Sequence, residues 1–250
     1  MAANPSTLLA EPSEIASAPP PARPHASPAP DAELFARRRR FSVDDYHRMA
    51  ALGLIGPGER TELLDGEVVH KMPISSAHAG CVKRFNALLI RLVADRAPVG
   101  VQDPVRLDDR SQPEPDLSIL RPRADAYGSA HPVPADILWL VEVADRSRQL
   151  DRAVKVPLYA AAGVPEVWLV DLAAGAVEVY RDPDAAGFRL MHRHGRGDVL
   201  RPAALEGVAI AVDDVLGSPA EVPSSEPAPA EGAGSRTAGA PSAEDAGARD

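Results

Sequence analysis

The run ADILWLVEVA, Ala135 to Ala144, constrains this chain more than any other stretch. Ile137, Leu138, Trp139, Leu140, Val141 and Val143 have the length and character of a buried strand, yet Glu142 stands among them. Burying an ionised carboxylate without a partner costs several kcal/mol, so packing alone does not keep one there. The fold has to bring Glu142 a cation.

The flanking segments supply the rest of a domain. FSVDDYHRMAALG predicts a first helix, with Ser42 and Asp45 spaced as a capping box and Gly53 as its stop. TELLDGEVVHKM predicts a hairpin turning at Asp65-Gly66, a pair suited to a type I′ turn. Behind a Ser75-Ser76 cap, Val82, Phe85, Leu88, Leu89 and Leu92 share one face of an amphipathic helix. VGVQDPVRLDD is a strand broken at Pro104, and PEPDLSIL is a strand entered behind two prolines. RQLDRAVKVPLYAAAG is a helix ending at Gly163, in which Pro157 implies a kink or a late start. EVWLVDL and AVEVYRD form a second hairpin-like pair, and FRLMHRHG is a further strand. Helix, hairpin, helix, strands, helix, strands is an α/β or α+β order, with a mixed central sheet and helices against it.

Composition divides the chain into three. Residues 1–40 and 218–250 are rich in Ala, Pro, Ser and Glu and lack apolar periodicity, so both are expected to be disordered tails. Residues 41–217 then form one domain. Its charge is acidic, 20 Lys and Arg against 26 Asp and Glu within a whole-chain net charge of −9. Such a domain does not grip nucleic acid through phosphate contacts alone; it needs a metal, a local basic patch or a partner. The Arg37–Arg40 run is read as a solvated junction. No basic-then-apolar leader opens the chain and no apolar run approaches the ~18 residues of a membrane span, so a cytoplasmic protein is expected. The single cysteine, Cys81, excludes an internal disulfide and a multi-cysteine zinc site. No GxxxxGK[ST], GxGxxG or GxSxG motif is present, which leaves nucleotide-fold and serine-hydrolase readings without support.

Three acids lie beside or within apolar strands: Glu62 in ELLDGEVV, Asp116 in PEPDLSIL and Glu142 in LVEVA. Carboxylates on neighbouring strands suit Mg²⁺, which takes oxygen ligands and keeps several waters. A metal so held lowers the pKa of an attacking water and neutralises a phosphate oxygen. Lys155, on the following helix, is placed to orient that water or to stabilise developing charge.

At these residues the chain resembles a known pattern. Pro115-Asp116 followed by Glu142 after an apolar strand resembles the PD-(D/E)XK nuclease superfamily, with Ala144 where that pattern has its lysine. RTELLDGEV, SSAHAG, PEPDLSIL, LVEVADRS and LDRAVKVPLYAAAGVPEVWLVD together resemble the Uma-two family of restriction endonucleases, in which the lysine stands on the next helix. The resemblance implies a restriction-endonuclease-like sheet and a DNA endonuclease dependent on Mg²⁺ or Mn²⁺. It implies Asp116 and Glu142 as metal ligands, Lys155 as the catalytic amine and Glu62 as an auxiliary acid. It further suggests the Val143 carbonyl as a ligand, His78 facing the cleft, and by analogy a homodimer.

Each residue also has a plainer reading. Glu142 and Lys155 make a buried structural ion pair, Asp116 caps a strand entry, Glu62 is a surface charge of the hairpin, and His78 is a capping residue. Asp151 stands four residues before Lys155 on one helix, which either is a simple acid–base pair or helps hold Lys155 in place. His192 and His194 share a strand face and are read as surface; Cys81, Trp139 and Trp168 are read as packing. The alternative to an enzyme is a non-catalytic nuclease-fold module, whose tails serve unknown partners.

Overall fold

Ser42 opens the first helix, α1 (Val43–Ala51), through reciprocal caps: its Oγ accepts the Asp45 N–H at 3.0 Å and Asp45 Oδ2 accepts the Ser42 N–H at 3.2 Å. The computed structural model describes residues 38–218, so the expected tails fall almost wholly outside the described residues. After α1 the hairpin forms as anticipated, β1 (Thr61–Leu64) against β2 (Glu67–His70). Asp65 and Gly66 both take positive φ, 44° and 78°, as a type I′ turn requires. Gly66 has a second reason to be glycine, since a Cβ there would stand 2.7 Å from the Arg40 Cβ. All four residues of β1 are buried, and the Gln112 N–H donates to the Leu63 carbonyl, which ties the hairpin to the loop that leads to Asp116.

Helix α2 (Ser76–Val93) is capped by Ser75, whose Oγ accepts the His78 N–H, and buries Cys81, Val82, Phe85, Leu89 and Val93. Leu88 and Leu92, placed on that face by period, are half-buried at its margin. The main sheet holds β3 (Val99–Val101), β4 (Leu117–Leu120), β5 (Ile137–Ala144), β6 (Glu166–Asp171), β7 (Ala176–Asp184) and β8 (Gly187–Gly195), side by side in that order. Only β5 and β6 run parallel, because helical chain separates them; every other adjacent pair is antiparallel. A short pair, β9 (Val199–Leu200) with β10 (Ile210–Ala211), and α5 (Val212–Leu216) complete the described chain.

Both faces of the sheet are covered, which is why β5 is buried along its whole length. Against α2 and α5 lie Trp139, Val141, Val143, Trp168 and Val170, with the two indoles 5.8 Å apart and Phe85 stacked on Trp168. Leu140 and Val167 face the other way, onto Val156, Tyr159 and Val164.

The connection from β5 to β6 departs from a plain helix. It comprises α3 (Arg148–Leu150), a π-helical turn at Asp151–Lys155 and α4 (Val156–Ala161). The Val156 N–H reaches the Asp151 carbonyl five residues back, so the turn is one residue wider than α. Pro157 has no N–H to donate and sits in the first turn of α4, where none is needed. The irregularity expected at Pro157 is therefore met by a widened turn followed by a fresh start.

Candidate functional site

Glu142 points out of β5 toward this widened turn and finds its cation there. Lys155 Nζ lies 2.8 Å from Glu142 Oε1 and 3.3 Å from Glu62 Oε2. The Tyr159 hydroxyl donates to the same Glu142 oxygen at 2.5 Å. Glu62 also accepts the Glu114 N–H at 3.0 Å, and its side chain is only 3% exposed. The surface-charge reading of Glu62 therefore gives way: β1 is buried on both sides and carries Glu62 inward.

Asp116 sits at the entry of β4, held by three donors. Gln102 donates to Oδ1 at 3.0 Å, the Val143 N–H to Oδ2 at 2.8 Å, and His78 Nε2 meets Oδ2 at 3.0 Å. The Val143 contact places the peptide. The ladder between β4 and β5 ends at Leu117 and Val141, and beyond it the Val143 N–H turns to the Asp116 side chain.

Burial and charge set the protonation of the cluster. Burial pushes the Glu142 carboxyl up to about 8, against the pull of Lys155. Burial also disfavours the Lys155 ammonium, but Glu142, Glu62 and Asp151 outweigh it and hold Lys155 above the usual lysine value. For Asp116, burial is outweighed by His78, Gln102 and the Val143 N–H, which keep it below the usual carboxylate value. Asp151, at the head of the wide turn, is raised by burial despite Lys155 and Ser147. The Ser147 hydroxyl donates to Asp151 at 2.5 Å, so Asp151 acts on Lys155 through charge while Glu142 and Glu62 make the close contacts.

These side chains line one cleft. Glu62, Asp116, Glu142, Asp151, Lys155 and His78 all face it, from four separate parts of the chain. Its acids outnumber its buried cation, and in low dielectric that surplus favours a further positive charge. The Asp116 and Glu142 carboxylates are hard oxygen groups, of the kind that suits a cation that retains water. Among the described residues, no three His, Cys, Asp or Glu side chains stand close enough to form a cage by themselves. A metal at this cleft would therefore have few protein ligands and keep waters of its own.

Two members were not singled out from the sequence. Tyr159 is four residues beyond Lys155 and shares its helical face, a spacing that could have flagged it. Gln102 is a neutral residue at positive φ beyond β3, and nothing in its sequence context marks it. The residues read as packing behave so: Cys81 is fully buried with its thiol pushed up to about 12, and Trp139 and Trp168 are core. His194 is half-buried and His192 exposed on β8, away from the cleft lining.

A mixed six-stranded sheet with helices on both faces and an acid-lined cleft at β4 and β5 is the architecture of a nuclease-like α+β protein. A crystal structure from Anabaena variabilis, described as "a putative nuclease belonging to DUF820", shares the fold, with a TM-score of 0.56 and 16% identity over 70% of this chain and 97% of that one. Residues 43–213 match the family Uma2, described as "Putative restriction endonuclease", and the chain belongs to that family. No curated protein matches it. Among the described residues no helix is long and apolar enough to cross a membrane.

Proposed function

We propose that the chain is a metal-dependent DNA endonuclease that hydrolyses phosphodiester bonds with a metal-activated water. The observation that carries this reading is the buried Lys155 ammonium set between Glu142 and Glu62, in the same cleft as Asp116. Asp116 and Glu142 would hold Mg²⁺ or Mn²⁺, with the Val143 carbonyl beside them and Glu62 assisting. The bound cation supplies Lewis acidity toward a phosphate oxygen and a water of lowered pKa.

The chain's own residues do the positioning. Gln102, His78 and the Val143 N–H fix both Asp116 oxygens, and Tyr159 fixes Glu142. Lys155, held protonated by its acids, presents a permanent positive charge where negative charge develops on the phosphate. Glu62 keeps Lys155 from swinging wholly onto Glu142, since it offers a second acceptor 3.3 Å away.

The test is cleavage of supercoiled plasmid and of single-stranded DNA with Mg²⁺, Mn²⁺ or EDTA. Cutting that requires metal and is lost in Lys155→Ala and Glu142→Gln, with circular dichroism unchanged, supports the reading. Wild-type cutting rates in either variant would overturn the assignment. A second reading, a nuclease-fold binding module, is favoured by one observation: Lys155 is already satisfied by two carboxylates as a structural pair would be. Folded protein that neither cuts DNA nor binds Mg²⁺ in a titration would support it.

A further inference from the structure

The cleft poses a charge problem. Glu62, Glu114, Asp116, Glu142, Asp145 and Asp151 all line it, and they repel a polyanion. Arg60 and Arg146 line the same cleft and are exposed. Among the described residues neither guanidinium has a hydrogen-bond or ion-pair partner. Other arginines are committed: Arg84 to the Leu216 carbonyl, Arg152 to Glu178, Arg181 to Glu166. Two long cations that stay unpaired beside so many carboxylates are presented to solvent, where a phosphate can take both N–H faces. Their places are also informative. Arg60 precedes Glu62 by two residues at the start of β1, and Arg146 follows Glu142 by four beyond the end of β5. They stand on the chain segments that carry the two acids of the lysine pair.

A second hollow adjoins the cleft, with Arg60, Gln102 and Glu114 in both walls, so the two are continuous across Arg60. Its own walls include Tyr46, Ile55 and Pro57. The cleft lip carries Met72 and Ile74, 55% and 41% exposed. Apolar and aromatic surfaces beside phosphate anchors suit unpaired bases, whose faces a duplex hides. Depth points the same way. The Glu142 and Lys155 side chains are only 3% and 4% exposed, so a reacting phosphate must descend to them. A flexible single strand does that more easily than a rigid double helix.

We propose that the cleft and the adjoining hollow form one groove for a single nucleic-acid strand, with Arg60 and Arg146 gripping phosphates on either side of the reacting one. The proposal rests on the nuclease reading above and adds the substrate's strandedness and its anchors.

The test is fluorescence anisotropy with Ca²⁺ in place of Mg²⁺, using a labelled oligonucleotide of about 15 nucleotides, single-stranded or as a blunt duplex. The single strand is expected to bind about ten-fold more tightly or better. Arg60→Ala and Arg146→Ala should each weaken binding and lower the slope of log K against log salt by about 0.7. Arg60→Lys should recover most of that slope. Both positions are exposed, so melting temperatures should not change. Equal affinity for duplex, or an unchanged salt slope in both alanine variants, overturns the groove while leaving the nuclease reading intact. Wild-type protein that binds neither substrate and cuts neither in Mg²⁺ overturns both.

Discussion

At the scale of single residues the site depends on one oxygen that serves two donors. Glu142 Oε1 takes Lys155 Nζ and the Tyr159 hydroxyl together, at 2.8 and 2.5 Å. Tyr159→Phe keeps the ring in the core and removes one donor, so it should cost about 1–2 kcal/mol of stability. Glu142→Gln keeps the volume and removes the charge. If the hydroxyl and the carboxylate act as one unit, the double variant should lose less than the sum of the singles, by at least about 0.5 kcal/mol in urea denaturation. Additive losses would show Tyr159 to be packing only. Lys155→Ala differs in kind. It leaves Glu142 and Glu62 buried without their cation, which costs about 3–5 kcal/mol when a buried pair is broken. Because burial already biases Glu142 toward the neutral form, that cost should be smaller at about pH 6 than at about pH 8.

Among the elements, the wide turn at Asp151–Lys155 brings Lys155 to the cleft and Arg152 to the sheet. Arg152 reaches Glu178 on β7 through two nitrogens, at 2.6 and 3.1 Å. Tyr180 donates to the same carboxylate. Arg152→Ala should cost about 1–2 kcal/mol, because Glu178 is buried and keeps only the tyrosine. Hydrogen exchange should quicken across 151–156 more than in β5; an unchanged exchange pattern would show that the turn holds without this latch. The turn also marks where sequence reading stops. Capping-box spacing, the Asp65-Gly66 turn and the apolar run of β5 each follow from local chemistry, and all three form as expected. A five-residue stretch of wider pitch leaves no periodicity to read, and Pro157 was its only sign. In the cleft, acids beside or within apolar strands stand out because burying them is costly, which made Glu142 and Asp116 legible. Lys155 was read instead from its place on the helix after β5 and from the family resemblance. Gln102 and Tyr159 are neutral and at home in loops and helices, so only the folded chain shows what they hold. Glu62 was ambiguous because hairpin strands commonly expose one face, and nothing local says that β1 is covered on both.

The whole molecule, with a net charge of −9, must fold around a cluster whose charges are mostly of one sign, and that makes its stability depend on pH. In the folded chain burial pushes the Glu142 carboxyl up toward about 8, above the 4.5 of a free side chain. Below 4.5 both states carry the proton. Between the two values the unfolded chain releases it and the folded chain keeps it. The folded state then binds more protons, so stability falls as pH rises through this window. Asp151, also raised, acts in the same direction. Asp116 is lowered, so its contribution is lost only at more acid pH, and Lys155 is raised, so its contribution is lost only in strong alkali. In EDTA, the urea midpoint should therefore decline from about pH 5.5 to about pH 8. Glu142→Gln should flatten most of that decline. Mg²⁺ should raise the midpoint most at the alkaline end, where Glu142 is closest to giving up its proton and a cation binds it with least competition. A midpoint in EDTA that is flat or rises over this range would mean that Lys155 keeps Glu142 fully ionised. The cleft would then be a neutral-pH ion pair with no appetite for a second cation. A decline in EDTA that Mg²⁺ does not offset would leave the buried acids without a metal to explain them.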